Sequence, residues 1–181
     1  MDKLICKKVF TEIGLPQVNY TDTNKWQFSN DSEGELNKIE SKLNYPIFVK
    51  PANLGSSVGI SKATNRKELL EGINEALRYD SRIVLEQGID AREIEVAVLG
   101  NNEVKASIAG EIKPAKDFYD YNDKYLDGAS TYDIPAQISE EDMNYIREKA
   151  IQAFKGIDGK GLSRVDFFKD KNSGEIFINE I

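Results

Sequence analysis

Two short stretches of this chain hold residue types that could do chemistry. The first is Tyr45-Pro46-Ile47-Phe48-Val49-Lys50-Pro51-Ala52-Asn53-Leu54-Gly55-Ser56-Ser57-Val58-Gly59. It reads as an apolar strand ending in a lysine, followed by a loop of glycines and hydroxyls. Glycine allows positive φ and close backbone approach, so successive N–H groups can point at an anion. A lysine beside such a loop adds a compact positive charge, which suits a nucleotide's phosphates. The spacing matches neither G-x-x-x-x-G-K-[ST] nor G-x-G-x-x-G, and an ordinary glycine hairpin is the alternative. The second stretch is Leu162 to Lys169 and Glu175 to Ile181, joined by residues 170–174, which reads as a hairpin. Alternation puts Arg164, Asp166 and Phe168 on one face of its first strand and Ile176, Ile178 and Glu180 on one face of its second. Pairing those faces brings Asp166 and Glu180 opposite or diagonal, within about 5–8 Å at Cβ. Two carboxylates so placed repel unless a cation lies between them. Arg164, as a structural ion pair, and a magnesium ion both satisfy the pattern.

Composition narrows the chemistry. The 181 residues suffice for one domain or two small ones with a real core. A hydrophobic share of 40% and a charged share of 30% describe an ordinary globular protein. A net charge of −7 argues against non-specific nucleic-acid binding. No run of eighteen apolar residues exists to span a membrane. The opening Met1-Asp2-Lys3 leads into no apolar stretch long enough for a signal peptide, so a cytoplasmic location is expected. Cys6 is the sole cysteine and histidine is absent. That removes an internal disulfide, a cysteine metal site, a histidine triad and a histidine-held zinc. Any metal must be held by oxygen, which points to magnesium, manganese or calcium. Cys6 shares a helical side with Phe10 and Ile13, where a small buried hydrophobe fits.

The elements that must position these residues read as follows. Residues 3–14 predict a helix closed by Gly14 and Pro16, and a second helix near 31–44 carries Leu36, Ile39 and Leu43. The Ile47–Lys50 strand, the glycine loop and a partner strand at Val58–Lys62 come next. A helix at 65–79 with Leu69, Ile73 and Leu77 inward completes a small α+β unit with an antiparallel sheet. Strands follow at Arg82–Glu86, Glu93–Leu99 and Glu103–Ala109, with a turn at 100–102. Residues 113–136 lack a clear period but hold Phe118, Tyr119, Tyr121, Tyr125 and Tyr132, which favours an ordered lid. Ser139 and Asp142 form a capping box opening a helix with Met143, Ile146, Ala150 and Phe154 inward.

Taken in order, several of these segments resemble the D-alanine–D-alanine ligase family of the ATP-grasp superfamily. The carrying residues are Met1-Asp2-Lys3, Val49-Lys50-Pro51 with Gly55-Ser56-Ser57-Val58-Gly59, and Glu86-Gln87-Gly88 with Glu93. Phe118-Tyr119-Asp120-Tyr121 with Lys124-Tyr125, Arg164-Val165-Asp166 and Asn179-Glu180 complete the set. The resemblance runs the whole length of the chain. It implies an α+β, ATP-grasp fold of two subdomains with mainly antiparallel sheets, at 3–81 and 82–181, enclosing ATP.

The resemblance also implies roles. Lys3 and Lys50 would bind phosphates, under a flap formed by Ser56, Ser57 and the loop amides. The backbone of Glu86 to Ile89 would read the adenine edge, and Glu93 would accept from the ribose hydroxyls. Gln87 departs from relatives that carry lysine there. Lys124 would contact the nucleotide, and Tyr125 and Ser57 would help orient substrate. Asp166 and Glu180 would ligate Mg2+ or Mn2+, two ions in the full-length enzyme, and Arg164 would stabilise a tetrahedral oxyanion. One D-alanine carboxylate would attack the γ-phosphate of ATP, and the amine of a second D-alanine would attack the resulting acylphosphate. Such chemistry needs positioning and charge neutralisation, which lysines, a flap and carboxylate-held cations supply.

By the same resemblance, an N-terminal domain would precede residue 1 and contribute to D-alanine binding and to a homodimer. An asparagine metal ligand would fall beyond Ile181, so these residues alone would not complete a ligase. Biotin carboxylase and glutathione synthetase types share the general plan. D-alanine–D-lactate ligases are the nearest rival, but they tend to carry histidine in the lid, where this chain has Tyr125. A nucleotide-binding module without turnover is the reading from a different class.

Overall fold

The computed structural model describes residues 2–113 and 131–181, which divide into two compact units. The first comprises residues 1–5 and 18–89, the second residues 6–17 and 90–181. The division differs from a single cut at 81/82, because the strand that follows that point is hydrogen-bonded inside the first sheet.

The chain opens with α1 (Lys3–Glu12), whose first turn belongs to the first unit and whose remainder belongs to the second. In the first unit follow β1 (Tyr20–Asn24), α2 (Lys25–Asn30), α3 (Ser32–Glu40), β2 (Ile47–Pro51), β3 (Ser61–Ala63), α4 (Arg66–Ala76) and β4 (Arg82–Gln87). The strands form an antiparallel sheet in the order β1-β4-β2-β3. Strand alternation divides its two faces. Ile47 and Val49 of β2 and Ile83 and Leu85 of β4 pack with Phe28, Leu36, Ile39, Leu69 and Ile73 from the helices. The other face carries Phe48, Lys50, Val84 and Glu86, in the register Phe48↔Glu86 and Lys50↔Val84.

Several local features differ from the pattern read in the sequence. The polar run Tyr20–Asn24 is a strand because Thr21 and Thr23 face inward and are buried; hydroxyls at those positions hide the apolar alternation. Asp31 caps and starts a helix there, its carboxylate accepting from the Gly34 N–H at 2.8 Å. That helix ends at Glu40, with Leu43 buried just beyond it. The partner strand begins only at Ser61, because the Val58 N–H donates to Gly55 O and the Ile60 N–H to Ser57 O, extending the loop as successive turns.

The second unit continues with β5 (Ala91–Gly100), β6 (Val104–Ala106), β7 (Gly110–Lys113), β8 (Thr131–Asp133), α5 (Glu140–Gly156), β9 (Gly161–Asp170) and β10 (Ile176–Glu180). Its sheet has the order β10-β9-β5-β7-β8, with β6 also paired to β5. One face is the core. Ile94, Val96, Val98, Val165, Phe167, Ile176 and Ile178 pack against Ile146, Ala150, Ala153 and Phe154 of α5, with Cys6 and Phe10 of α1. Cys6 is buried there, as its helical spacing suggests. Ser139 caps α5, accepting from the Asp142 N–H at 3.1 Å and donating to the Asp142 carboxylate at 2.8 Å. Most of the expected lid, residues 114–130 with Lys124 and Tyr125, lies outside the described residues.

Candidate active site

In the first unit the loop after β2 is tied down at its start. Ala52 donates its N–H to Arg82 O at 2.9 Å and accepts from the Lys3 N–H at 2.7 Å, while the Lys3 ammonium donates to Leu54 O. Lys3 therefore sits at the start of the loop that contains Ser56 and Ser57. Positive φ occurs at Leu54 (94°), Ser56 (56°), Ser57 (59°) and Gly59 (71°). Non-glycine residues rarely hold such angles, and they cluster at ligand clamps when they do. The glycines divide the work differently from the simple expectation. A Cβ on Gly59 would meet Tyr79 at 2.7 Å and Pro51 at 2.9 Å, whereas one on Gly55 would meet nothing within 4 Å. Gly59 is thus required by both space and angle, while the two serines carry the left-handed turn themselves.

Lys50 and Glu86 form an ion pair of 2.8 Å with side chains only 12% and 3% exposed. Strand pairing explains it, since both point to the same face of neighbouring strands. Removing one partner from such a pair leaves the other charge desolvated. Beyond Glu86, the Gln87 N–H donates to Asn19 O at 2.9 Å and the Gly88 N–H to Pro46 O at 2.7 Å. The Gln87 side-chain oxygen accepts from the Asn44 N–H at 3.2 Å. Ile89 closes the first unit.

In the second unit, the sheet face opposite α5 gathers the other candidates. Glu93 lies opposite Phe168, Glu95 opposite Asp166 and Ala97 opposite Arg164 on the β5–β9 pair. On β10, Phe177 opposes Phe168 and Ile178 opposes Phe167, but Glu180 opposes Asp166 because the register shifts between Ile178 and Glu180. Strict alternation along β10 would have left Glu180 on the core face with Ile176 and Ile178. The β-bulge turns it to the face of Asp166, one of the ways such irregularities re-aim a side chain. Juxtaposition of Asp166 and Glu180 thus holds, for a different reason from the alternation that suggested it.

Arg164 reaches Asp166 with two bonds, Nε to Oδ1 and Nη2 to Oδ2, each 2.7 Å. Its Nε also lies 3.1 Å from Oε1 of Glu95. The Asp166 hydrogen bonds, with Glu95 and Glu180 nearby, push the Arg164 pKa upward against the opposing effect of burial, so the guanidinium is firmly cationic. Bidentate arginine–carboxylate pairing gives geometric specificity as well as energy.

The donors suit an oxygen-seeking cation in kind, since Asp166 and Glu180 offer carboxylates from directly opposed positions. Among the described residues, however, no group of three or more His, Cys, Asp or Glu converges on a metal position. In this arrangement Arg164 is a cation directly beside Asp166. Glu95 was not singled out in the sequence, although the spacing Glu93-Ile94-Glu95 puts both glutamates on one strand face. Asp80 was also missed. It lies in the turn after α4, and nothing local marks it as touching the loop 27 residues earlier.

The family model described as D-ala D-ala ligase C-terminus matches residues 9–181. A D-alanine--D-alanine ligase of Heliobacterium modesticaldum is 54% identical over all 181 residues, which cover 50% of that protein. One from Bacillus velezensis is 52% identical, again over the whole chain and 51% of the relative. Among solved structures, the VanG D-Ala:D-Ser ligase from Enterococcus faecalis superposes with a TM-score of 0.84 at 33% identity, covering 99% of this chain and 51% of that one. The D-alanine-D-alanine ligase from Coxiella burnetii gives 0.82 at 33% identity, covering 99% and 46%. The chain spans about half the length of the relatives it matches. Its mixed helices and antiparallel sheets are those of their ATP-grasp domains, and the chain belongs to the D-alanine–D-alanine ligase family.

Proposed function

We propose that the complete protein carrying this chain joins two D-alanines at the expense of ATP, forming D-alanyl-D-alanine for peptidoglycan precursors. The observation that supports this most is the pairing of Asp166 with Glu180 across a bulged hairpin, with Arg164 beside them, in a chain of this family.

In this reading Lys3, Lys50, Ser56, Ser57 and the loop amides hold the ATP phosphates. Glu93 accepts from the ribose. Glu86 contributes through its ion pair with Lys50. The N–H groups of Gln87 and Gly88 are already engaged within the first unit, so the adenine edge is read by the remaining backbone groups of Glu86 to Ile89. Lys124 contacts the nucleotide, and Tyr125 helps shape the second-substrate site. Asp166 and Glu180 would hold Mg2+ or Mn2+, which neutralises phosphate charge when bound. A D-alanine carboxylate oxygen attacks the γ-phosphorus as the bond to ADP breaks. The amine of the second D-alanine then attacks the acyl carbon, phosphate leaves, and the amine gives up a proton. Arg164 faces the negative charge that develops on the carbonyl oxygen, with Ser57 helping to orient the carboxylate.

A homodimer and a cytoplasmic location, where ATP is available, belong to the same proposal. Among the described residues no helix is long and apolar enough to cross a membrane. D-Alanine as second substrate, rather than D-serine, is favoured by 54% identity to a D-alanine--D-alanine ligase against 33% to the D-Ala:D-Ser enzyme. The test is to supply the complete protein with ATP, magnesium and D-alanine. Stoichiometric ADP, phosphate and D-alanyl-D-alanine are expected. ATP binding without phosphate release would leave only a nucleotide-binding module.

A further inference from the structure

Besides Lys3, the loop at 53–59 is held by a short turn that carries none of the roles assigned above. At its entry, Oδ2 of Asp80 accepts from the Asn53 N–H at 2.8 Å and from the Asn53 side-chain amide at 2.7 Å. The other oxygen, Oδ1, accepts from the Arg82 N–H at 3.0 Å, which fixes the carboxylate at the start of β4. At its exit, Gly59 lies so close to the Tyr79 ring that a Cβ would sit 2.7 Å from it. Adjacent residues, Tyr79 and Asp80, thus grip the two ends of a segment whose interior holds Leu54, Ser56 and Ser57 at positive φ.

Such angles are unfavourable for residues with a Cβ and persist where the surroundings over-determine them. We propose that Asp80, seconded by Tyr79, is a positioning residue that pre-forms the phosphate-covering loop, so that its hydroxyls and amides are set before a nucleoside triphosphate arrives. The inference rests on the reading of residues 53–59 as the phosphate flap. Burial raises the Asp80 pKa, but the N–H donors of Arg82 and Asn53 outweigh it and hold the carboxyl below its usual value. The ionised form is therefore the one this turn is built around. An ordered loop loses less conformational freedom on binding, so its anchor contributes to affinity without touching the ligand.

The experiment uses the complete protein, with hydrogen exchange read peptide by peptide and ATP affinity measured by titration. In Asp80→Ala, exchange over residues 53–59 should rise while that of β2 and α4 stays near wild type. The ATP dissociation constant should rise about tenfold, the effect of losing hydrogen bonds to a charged group. The KM for ATP should rise with it, while kcat at saturating ATP changes much less. Asn53→Ala, which keeps the main-chain bond but loses the side-chain one, should show a smaller change in the same direction without the risk of disturbing β4. Unchanged loop exchange and unchanged ATP affinity in both variants would overturn the proposal. So would a rise in exchange spread evenly across the first unit, which marks a purely structural residue. A wild-type protein that binds no ATP would instead defeat the functional reading, so the two failures are distinguishable.

Discussion

Lys50 and Glu86 show how a residue proposed to bind phosphate can be entangled with the fold. Their ion pair is buried, at 12% and 3% exposure, so Lys50→Ala removes the charge proposed to face the phosphates and also takes from Glu86 its ion-pair partner at 2.8 Å. We expect that variant to lose about 3 kcal/mol of stability and to bind ATP weakly. Lys50→Ala/Glu86→Gln should recover much of the stability, because the buried carboxylate that lost its ammonium partner is neutralised too, yet should not recover ATP binding. Urea unfolding together with a nucleotide titration reads both effects. If the double variant binds ATP as wild type does, Lys50 is only a structural partner of Glu86. Glu95 calls for a parallel measurement, since its carboxylate lies 3.1 Å from Arg164. Glu95→Gln should lower kcat more than the KM for ATP, because the cation it helps to hold is proposed to act on the acyl centre rather than on nucleotide binding. An equal change in both would count against that assignment.

At the scale of elements, the second unit's sheet is joined to α5 by a charge pair as well as by its apolar face. Lys169 on β9 lies 2.5 Å from Asp142 in the first turn of α5. The hydrogen bond from Lys169 is the main reason that the Asp142 pKa lies below its ordinary value. A depressed carboxyl pKa stabilises the fold above the unfolded value, and that contribution is lost as pH falls through the folded value. Asp142→Asn should therefore cost about 1.5 kcal/mol near neutral pH, and the gap to wild type should close below about pH 4, around the usual carboxylate range. Thermal unfolding across pH 2.5–7 checks this, and a gap that persists at the acid end would contradict it.

Much of this scale was legible in the sequence. Regular apolar spacing marks α4, α5, β2 and β9, and Ser139 announces its cap. The bulge in β10 was not legible, because the apolar run Ile176-Phe177-Ile178 passes into Asn179-Glu180 with no glycine or proline to mark it, and only pairing with β9 shows the extra residue. Strand β1 escaped because buried threonines look polar in a list of residues. The grip of Asp80 on Asn53 spans 27 residues, which no local pattern can signal.

For the molecule as a whole, the family and the order of its motifs were readable from end to end. The two units were less so, since a helix in residues 6–17 packs with the second and β4 completes the first. Contacts that assemble a unit out of distant segments leave no local mark. The proposed choice of second substrate also belongs to the complete protein. If Tyr125 shapes that site, Tyr125→His should raise ester formation from D-lactate relative to dipeptide, and product analysis across pH would read the ratio. No gain over wild type would remove Tyr125 from that role.

The central claim is that Asp166 and Glu180, opposed across the bulged hairpin, serve a metal that works on ATP and do not merely anchor Arg164. The most direct test is the magnesium dependence of turnover in Asp166→Asn of the complete protein, set beside thermal unfolding of the metal-free form. The account predicts a magnesium curve displaced at least tenfold to higher concentration, as expected for loss of a charged ligand, with metal-free unfolding within a few degrees of wild type. An unshifted magnesium curve combined with a marked drop in unfolding temperature would contradict it, leaving Asp166 as the structural partner of Arg164.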